Sequence, residues 1–250
     1  MTFEERKALV KDYLGKTVRI ETDRPIGYEH KKEKYILTYK INYGYIPHVL
    51  GGDGEELDVY LLGVDKPVCE YTGKIIGIVH RENDVEDKLV MAPEGVIFTQ
   101  NEIAEQVHFQ EKYYKTEIEA LYEKSCGALV FKRENGGIKI LCLLQRRSQT
   151  YSVPKGHMEA FETEEQTAGR ELKEEAGISA DFAPNFRETI SYDIPGGKQK
   201  TVVLFLAECS GQLKINSGEI VNYLWLSPEK AKTVLPEWYC SVIEKAMKIT

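Results

Sequence analysis

Between Gly156 and Ile178 the chain places Glu171, Glu174 and Glu175 at i, i+3 and i+4, directly after Arg170 and just ahead of Gly177. At about 100° per residue the three carboxylates share one face of a helix, while Ala168 and Leu172 turn toward another. Such a helix is under electrostatic load. Each like-charge pair at this spacing costs ~0.2–0.5 kcal/mol, and carboxylates in the last turn meet the negative end of the helix dipole at a further ~0.3–1 kcal/mol. Arg170 relieves part of this and cannot neutralise three acids. A hard divalent cation, Mg²⁺ or Mn²⁺, prefers oxygen ligands of this kind and bridges protein carboxylates to substrate phosphates. The segment therefore demands a fold that carries a polar, cation-seeking helix over Phe161–Ala176, stopped by Gly177.

The complete spacing is Gly156, five residues, Glu162, seven residues, Arg170-Glu171-Leu172, one residue, Glu174-Glu175, one residue, Gly177-Ile178. These positions resemble the signature of the Nudix hydrolases without a departure. The resemblance covers residues 125–250 and implies an α/β/α sandwich with a mixed sheet. It also implies hydrolysis of a nucleoside diphosphate linked to another moiety, with Mg²⁺ or Mn²⁺ as cofactor. Carried over position by position, Glu174 and Glu175 are the main metal ligands and Glu171 is a ligand or the base. Arg170 orients these carboxylates, Glu162 braces the loop, and Gly156 and Gly177 are structural. A backbone carbonyl near Lys155–Gly156 completes the metal shell.

The flanks narrow the resemblance. Ser125-Cys126-Gly127-Ala128, Pro154-Lys155-Gly156-His157-Met158-Glu159, Gly197-Lys198-Gln199-Lys200-Thr201-Val202-Val203 and Tyr223-Leu224-Trp225-Leu226 look like the asymmetric diadenosine tetraphosphate hydrolase branch. That branch implies polyphosphate held by Lys155, His157 and Lys200, adenine stacked on Tyr192, and Glu219 as a further ligand or general base. Each has a plainer reading: an exposed strand-end charge for Lys200, packing for Tyr192, a loop hydrogen bond for His157. The chemistry needs no covalent nucleophile, because a nucleotide is already a good leaving group; the isolated serines and cysteines have no evident base partner.

The first half carries its own acids. Asn42-Tyr43-Gly44-Tyr45-Ile46-Pro47, followed by Gly52-Asp53-Gly54-Glu55-Glu56-Leu57-Asp58-Val59, resembles the soluble inorganic pyrophosphatases of the OB-barrel type over residues 15–120. Glu21, Glu29, the acid run Glu82–Asp87 ahead of Lys88, and Tyr114-Lys115 extend the likeness. In that family three aspartates ligate Mg²⁺, landing here on Asp53, Glu55 and Asp58. Glu55 departs from the pattern with a longer arm, which Mg²⁺ tolerates badly. Gly27 occupies a site where the family places a phosphate-gripping base, and the segment Leu37–Ile41 is shortened. The resemblance thus implies a barrel that binds metal and hydrolyses pyrophosphate slowly or not at all.

Chain organisation agrees with two domains, 1–124 and 125–250. β-type runs at Val18–Ile20, Tyr35–Tyr39, Val59–Leu62, Lys74–Val79 and Leu89–Met91 precede a stretch, Glu102–Tyr122, without Gly or Pro that reads as helical. A second β start follows at Cys126–Phe131 and Ile138–Leu144 around Asn135-Gly136-Gly137, a hairpin turn sequence. Strands over Thr201–Glu208 and Asn222–Leu226 come after the helix, and Ser227-Pro228 opens terminal helices broken at Pro236.

Charge excludes one class of partner. The net charge is −7, with 17 Lys+Arg and 24 Asp+Glu in residues 1–124 against 16 of each in residues 125–250. Nucleic-acid binding depends on cationic contacts to phosphates, so it is not expected, and RNA 5′-end hydrolysis is disfavoured. No apolar run approaches the ~20 residues of a membrane helix. Five cysteines without a C-x-x-C pair imply reduced thiols, and the acid-rich start is no export signal, so a cytoplasmic protein is expected. The expected partner is a small nucleotide, with homo-oligomer formation left open. Rival readings are a Nudix pyrophosphohydrolase of nucleoside triphosphates or ADP-ribose feeding an active pyrophosphatase, and a nucleotide-sensing binding protein.

Overall fold

The computed structural model describes residues 2–31, 36–209, 211–215 and 218–250. They form two compact units, residues 1–123 with 193–199, and residues 124–192 with 200–250. A cut at residue 124 by sequence puts 193–199 in the second half, whereas the structure groups them with the first.

The first unit opens with α1 (Phe3–Lys11), started by a reciprocal cap in which Thr2 Oγ1 accepts from the Glu5 amide and the Glu5 carboxylate from the Thr2 amide. Seven strands follow: β1 (Thr17–Arg24), β2 (Glu29–Lys31), β3 (Ile36–Thr38), β4 (Asn42–Leu50), β5 (Glu56–Leu61), β6 (Glu70–Arg81) and β7 (Lys88–Ala92). Helix α2 (Gln100–Glu111) and β8 (Thr116–Ala120) complete it. The ladder runs β1-β4-β5-β7-β6 and returns from β6 to β1, which closes a five-stranded barrel and leaves no free edge in it. Among the described residues the pairings in the ring are antiparallel except β5 with β7. Alternation along β5 fills both faces: Leu57, Val59 and Leu61 pack with Ile20, Ile75 and Leu89, while Tyr60 packs with Tyr43, Val79 and the α2 residues Ile103 and Val107.

Two sequence expectations need correction here. The Glu102–Tyr122 stretch is helical only to Glu111; Thr116–Ala120 instead pairs antiparallel with β6, from Thr116 opposite Arg81 to Ala120 opposite Gly77. The reason is period: Thr116, Ile118 and Ala120 alternate with Glu117 and Glu119, and a barrel-edge ladder rewards that pattern over helix propensity. The expected run Tyr35–Tyr39 is β3 over Ile36–Thr38, and Tyr35 lies outside the described residues.

The second unit contains β9 (Tyr122–Glu134), β10 (Gly137–Gln145), β11 (Tyr151–Ser152), β12 (Lys155–His157), α3 (Glu164–Ala176), β13 (Phe182–Ile194), β14 (Lys198–Glu208), β15 (Ile220–Leu226), α4 (Pro228–Val234) and α5 (Tyr239–Ala246). The sheet runs β11-β10-β9-β14-β13, with β15 also on β10 and β12 also on β9. Asn135 and Gly136 join β9 to β10 at φ 52° and 74°, the two left-handed residues of a tight hairpin. Along β14, Val203, Phe205 and Ala207 pack against Ala168, Leu172 and Ala176 of α3, while Val202, Leu204 and Leu206 pack against Ala231, Val242 and Ile243 of α4 and α5. Helices therefore cover both faces of the sheet. The long strand β13 escaped the sequence reading because Asn185-Phe186-Arg187-Glu188-Thr189 gives little apolar alternation. Among the described residues no helix is long and apolar enough to cross a membrane, and Cys69, Cys126, Cys142, Cys209 and Cys240 are free thiols.

Candidate active site

Helix α3 starts at Thr163, whose Oγ1 accepts from the Gln166 amide at 3.2 Å while Gln166 accepts from the Thr163 amide at 2.8 Å. It stops at Gly177, left-handed at φ 68°, where a Cβ would overlap the Lys214 backbone. Burial of Leu172 and Ala176 fixes the rotation of the helix, and this turns Glu171 and Glu175 inward, 8% and 4% exposed, and Glu174 outward.

Arg170 is the hub of the carboxylates. Its Nε and Nη2 form a fork on Glu162 at 2.8 and 2.9 Å, and Nη1 reaches Glu171 at 2.6 Å and Glu174 at 3.3 Å. Nη2 also donates to the His157 carbonyl at 2.9 Å, tying β12 to α3. Glu162 further accepts from Thr167 Oγ1 and the Glu159 amide; these bonds, the Arg170 fork first, hold its carboxyl down at about 2. Burial pushes the Glu171 carboxyl up against the pull of Arg170. Burial pushes Glu175 up to about 7, opposed by hydrogen bonds from Gln145 Nε2 at 3.2 Å and the Lys155 amide at 3.0 Å. Gly156 is required by close approach, since a Cβ there would overlap the Glu171 carboxylate.

The structure brings the expected residues together. Arg170, Glu171, Lys173, Glu174, Glu175 and Glu219 line one open cleft of about 990 Å³. Glu219 arrives from a distant segment, held by Arg146, whose amide donates to the Glu219 carbonyl at 2.6 Å and whose Nε donates to the Gly218 carbonyl at 2.6 Å. A neighbouring cavity of about 160 Å³ is lined by Lys155, Tyr192, Trp238 and Tyr239 among others. His157 Nε2 lies 3.1 Å from Lys200 Nζ, and burial, with Lys200 as the next cause, pushes the Lys155 ammonium down. Tyr192 stacks on Trp238 at 4.5 Å and 14°, so one of its faces is already covered. Sequence reasoning missed Trp238, Gln145 and Arg146. Nothing in their spacing marks them; each is recruited by the sheet and its connections.

The donor set suits a divalent cation. Glu171, Glu174, Glu175 and Glu219 offer hard oxygens around one cleft, and the crowding noted in the sequence is offset in part by Arg170 on Glu171 and Glu174. Among the described residues no three His, Cys, Asp or Glu side chains stand converged as a ligand group. In α3 the guanidinium explains this: its Nη1 occupies the space between Glu171 and Glu174, and uncompensated carboxylates splay apart.

In the first unit, Asp53, Glu55 and Asp58 line one pocket of about 440 Å³ with Arg24, Arg81 and Glu86. Asp58 differs from the expectation of a free ligand. Lys88 Nζ donates to it at 2.6 Å, and Tyr43 also donates to it. Burial pushes Asp58 up, but bonds from Glu86 and Lys88 outweigh that and hold it below the usual range; Glu86, buried and facing Asp58, is pushed up to about 7. Asp53 accepts from the Glu55 amide within its own turn.

A family model described as NUDIX domain matches residues 122–245, and one described as inorganic pyrophosphatase matches residues 15–125. The chain belongs to the Nudix family, and it is a hydrolase acting on phosphoanhydrides. It is 34% identical over 121 residues to the bis(5′-nucleosyl)-tetraphosphatase [asymmetrical] of Sus scrofa, spanning 43% of this chain and 81% of that protein. The protein of the same description from Caenorhabditis elegans is 33% identical over 114 residues, with the same shares. A crystal structure of a C. elegans Ap4A hydrolase binary complex is 29% identical, covers 51% of this chain and 96% of its own, and superposes with a TM-score of 0.47.

Proposed function

We propose that the second unit splits diadenosine tetraphosphate asymmetrically into ATP and AMP with Mg²⁺. The observation that carries the reading is that Glu171, Glu174 and Glu175 of α3 and Glu219 from a distant segment face one cleft. The relatives' description supplies the substrate. Lys155, His157 and Lys200 group beside the cleft and would grip the phosphates, with the Lys155 amide tied directly to Glu175. The outer faces of the Tyr192–Trp238 stack offer an aromatic platform for adenine.

Glu171, Glu174 and Glu175, with a carbonyl near Lys155–Gly156, would hold the cation, and a cation held there would supply Lewis-acid polarisation of a phosphate and a lowered pKa for an attacking water. A glutamate of the set takes the proton. Arg170 keeps Glu171 and Glu174 aimed through its anchorage on Glu162. In the same reading the first unit turns over pyrophosphate slowly or not at all, because Glu55 departs from the aspartate pattern.

The test is incubation of the chain with Mg²⁺ and a panel of diadenosine tetraphosphate, nucleoside triphosphates and ADP-ribose, with products separated by chromatography. ATP and AMP in equal amounts are expected. Two ADP would contradict the direction of attack, and preference for ADP-ribose or a triphosphate would move the substrate assignment while leaving the site in place.

A further inference from the structure

We propose that in the first unit Arg81 and Lys88 stand as fixed cations where a pyrophosphatase-type pocket takes divalent metal, so that this pocket binds no Mg²⁺ or Mn²⁺ and hydrolyses no pyrophosphate. The argument is independent of the reaction assigned to the second unit. It rests on how the donors of these two side chains are used.

Lys88 begins β7 and is 2% exposed. Its ammonium donates to Asp58 at 2.6 Å, to Glu86 at 2.8 Å and to Tyr43 Oη at 2.6 Å, which uses all three protons. Arg81 ends β6 and is also 2% exposed. Its Nε and Nη2 make a fork on Glu111 at 2.9 and 2.6 Å, and its Nη1 reaches Asp84 at 2.9 Å and Glu86 at 3.4 Å. The ring of Tyr114 lies 3.7 Å from the guanidinium carbon. The half-buried carboxylates of the pocket, Asp58, Asp84 and Glu86, are therefore each already paired with a lysine or arginine of the chain.

The residues do not fit an added metal. A divalent cation at Asp58 would have to displace a buried ammonium that Glu86 and Tyr43 also hold in place, and one at Asp84 and Glu86 would have to displace a buried guanidinium. The loop that carries Asp84 and Glu86 cannot swing away to form a new site. Arg6 of α1 clamps it by donating to the Asp84 carbonyl at 2.6 Å and the Arg81 carbonyl at 2.7 Å. What remains on the pocket wall is Asp53, Glu55 and Glu56: Asp53 and Glu55 are exposed on a turn where Asp53 accepts from the Glu55 amide, and Glu56 accepts from the His48 amide.

The test uses the full chain. Mn²⁺ is titrated by its electron paramagnetic resonance signal into the unmodified protein, into Glu174→Gln/Glu175→Gln, and into that pair combined with Asp58→Asn. Bound Mn²⁺ should disappear in the double variant. Mn²⁺ retained there and released by Asp58→Asn overturns the proposal, whereas retained Mn²⁺ indifferent to Asp58→Asn lies elsewhere and agrees with it. If the unmodified chain binds none, the reading of the second unit fails and this proposal stands. Lys88→Met in the double-variant background should make Mn²⁺ binding appear, tighter by at least about tenfold; a folded variant that gains nothing counts against the role of Lys88. Should that variant not fold, phosphate release from pyrophosphate decides: release by the full chain that Asp58→Asn abolishes overturns the proposal.

Discussion

Each unit gathers acidic side chains around a pocket, and in each a buried glutamate is pushed up to about 7: Glu86 in the barrel and Glu175 in the Nudix unit. What differs is the cation. In the barrel, Lys88 and Arg81 are 2% exposed and are paired with Asp58, Asp84, Glu86 and Glu111. In the second unit one guanidinium, Arg170, is anchored mainly on Glu162 and lends only its Nη1 to Glu171 and Glu174. Glu175 is held by the neutral donors Gln145 Nε2 and the Lys155 amide, and the cleft it lines with Glu174 and Glu219 is open. Acid clusters alone therefore do not define a metal centre; the state of charge compensation does.

The comparison can be broken first through stability. Replacing Arg81 by Met leaves Glu111 buried without its counter-charge, and breaking a buried pair costs about 3–5 kcal/mol. We expect thermal unfolding to begin markedly earlier in Arg81→Met, read by calorimetry, with no benefit from Mg²⁺. Glu174→Gln should do the opposite. Glu174 is exposed, so melting should barely move, while hydrolysis falls by about 10²–10³ because an amide is a poor Mg²⁺ ligand.

Gly156→Ala sharpens the picture from the backbone. Its Cβ would overlap the Glu171 carboxylate and displace it, and a displacement of ~1 Å in a catalytic group costs about 10² in rate. Steady-state kinetics should show the loss in kcat, with the fold retained by circular dichroism. The smallest effect is acid stability. Glu162 is held at about 2, below the ordinary 4.5, chiefly by Arg170. Its contribution is whole above pH 4.5 and drains away as the pH falls toward 2. Solvent screening limits it to about 1 kcal/mol or less. Glu162→Gln should therefore flatten the pH dependence of unfolding in that window and lower neutral stability by about that amount.

How far the sequence foretold this depends on the kind of signal. The α3 site was legible because every ligand but Glu219 lies on one helix, where spacing fixes the face, and because Gly177 and Thr163 are local stop and start signals. Glu219 was placed only through resemblance, and Trp238 and Gln145 were not found at all, since the fold brings them in from positions 46 and 30 residues away in the chain from Tyr192 and Glu175. In the barrel the acids were legible but their neutralisation was not. Arg81 and Glu111 pair across 30 residues, and no local pattern signals that a strand-end arginine will be buried against a helix-end glutamate. Strand β8 was lost for a related reason: Thr116–Ala120 is rich in helix-compatible residues, and only its ladder with β6 makes it a strand.

The central claim is that phosphoanhydride chemistry resides in the second unit alone. It is tested most directly by assaying diadenosine tetraphosphate and pyrophosphate side by side with Mg²⁺, using the unmodified chain, Glu175→Gln and Asp58→Asn. The account predicts ATP and AMP from the unmodified chain and from Asp58→Asn at comparable rates, almost none from Glu175→Gln, and no phosphate release from pyrophosphate in any of the three. Full nucleotide turnover by Glu175→Gln, or pyrophosphate hydrolysis that vanishes in Asp58→Asn, would contradict it.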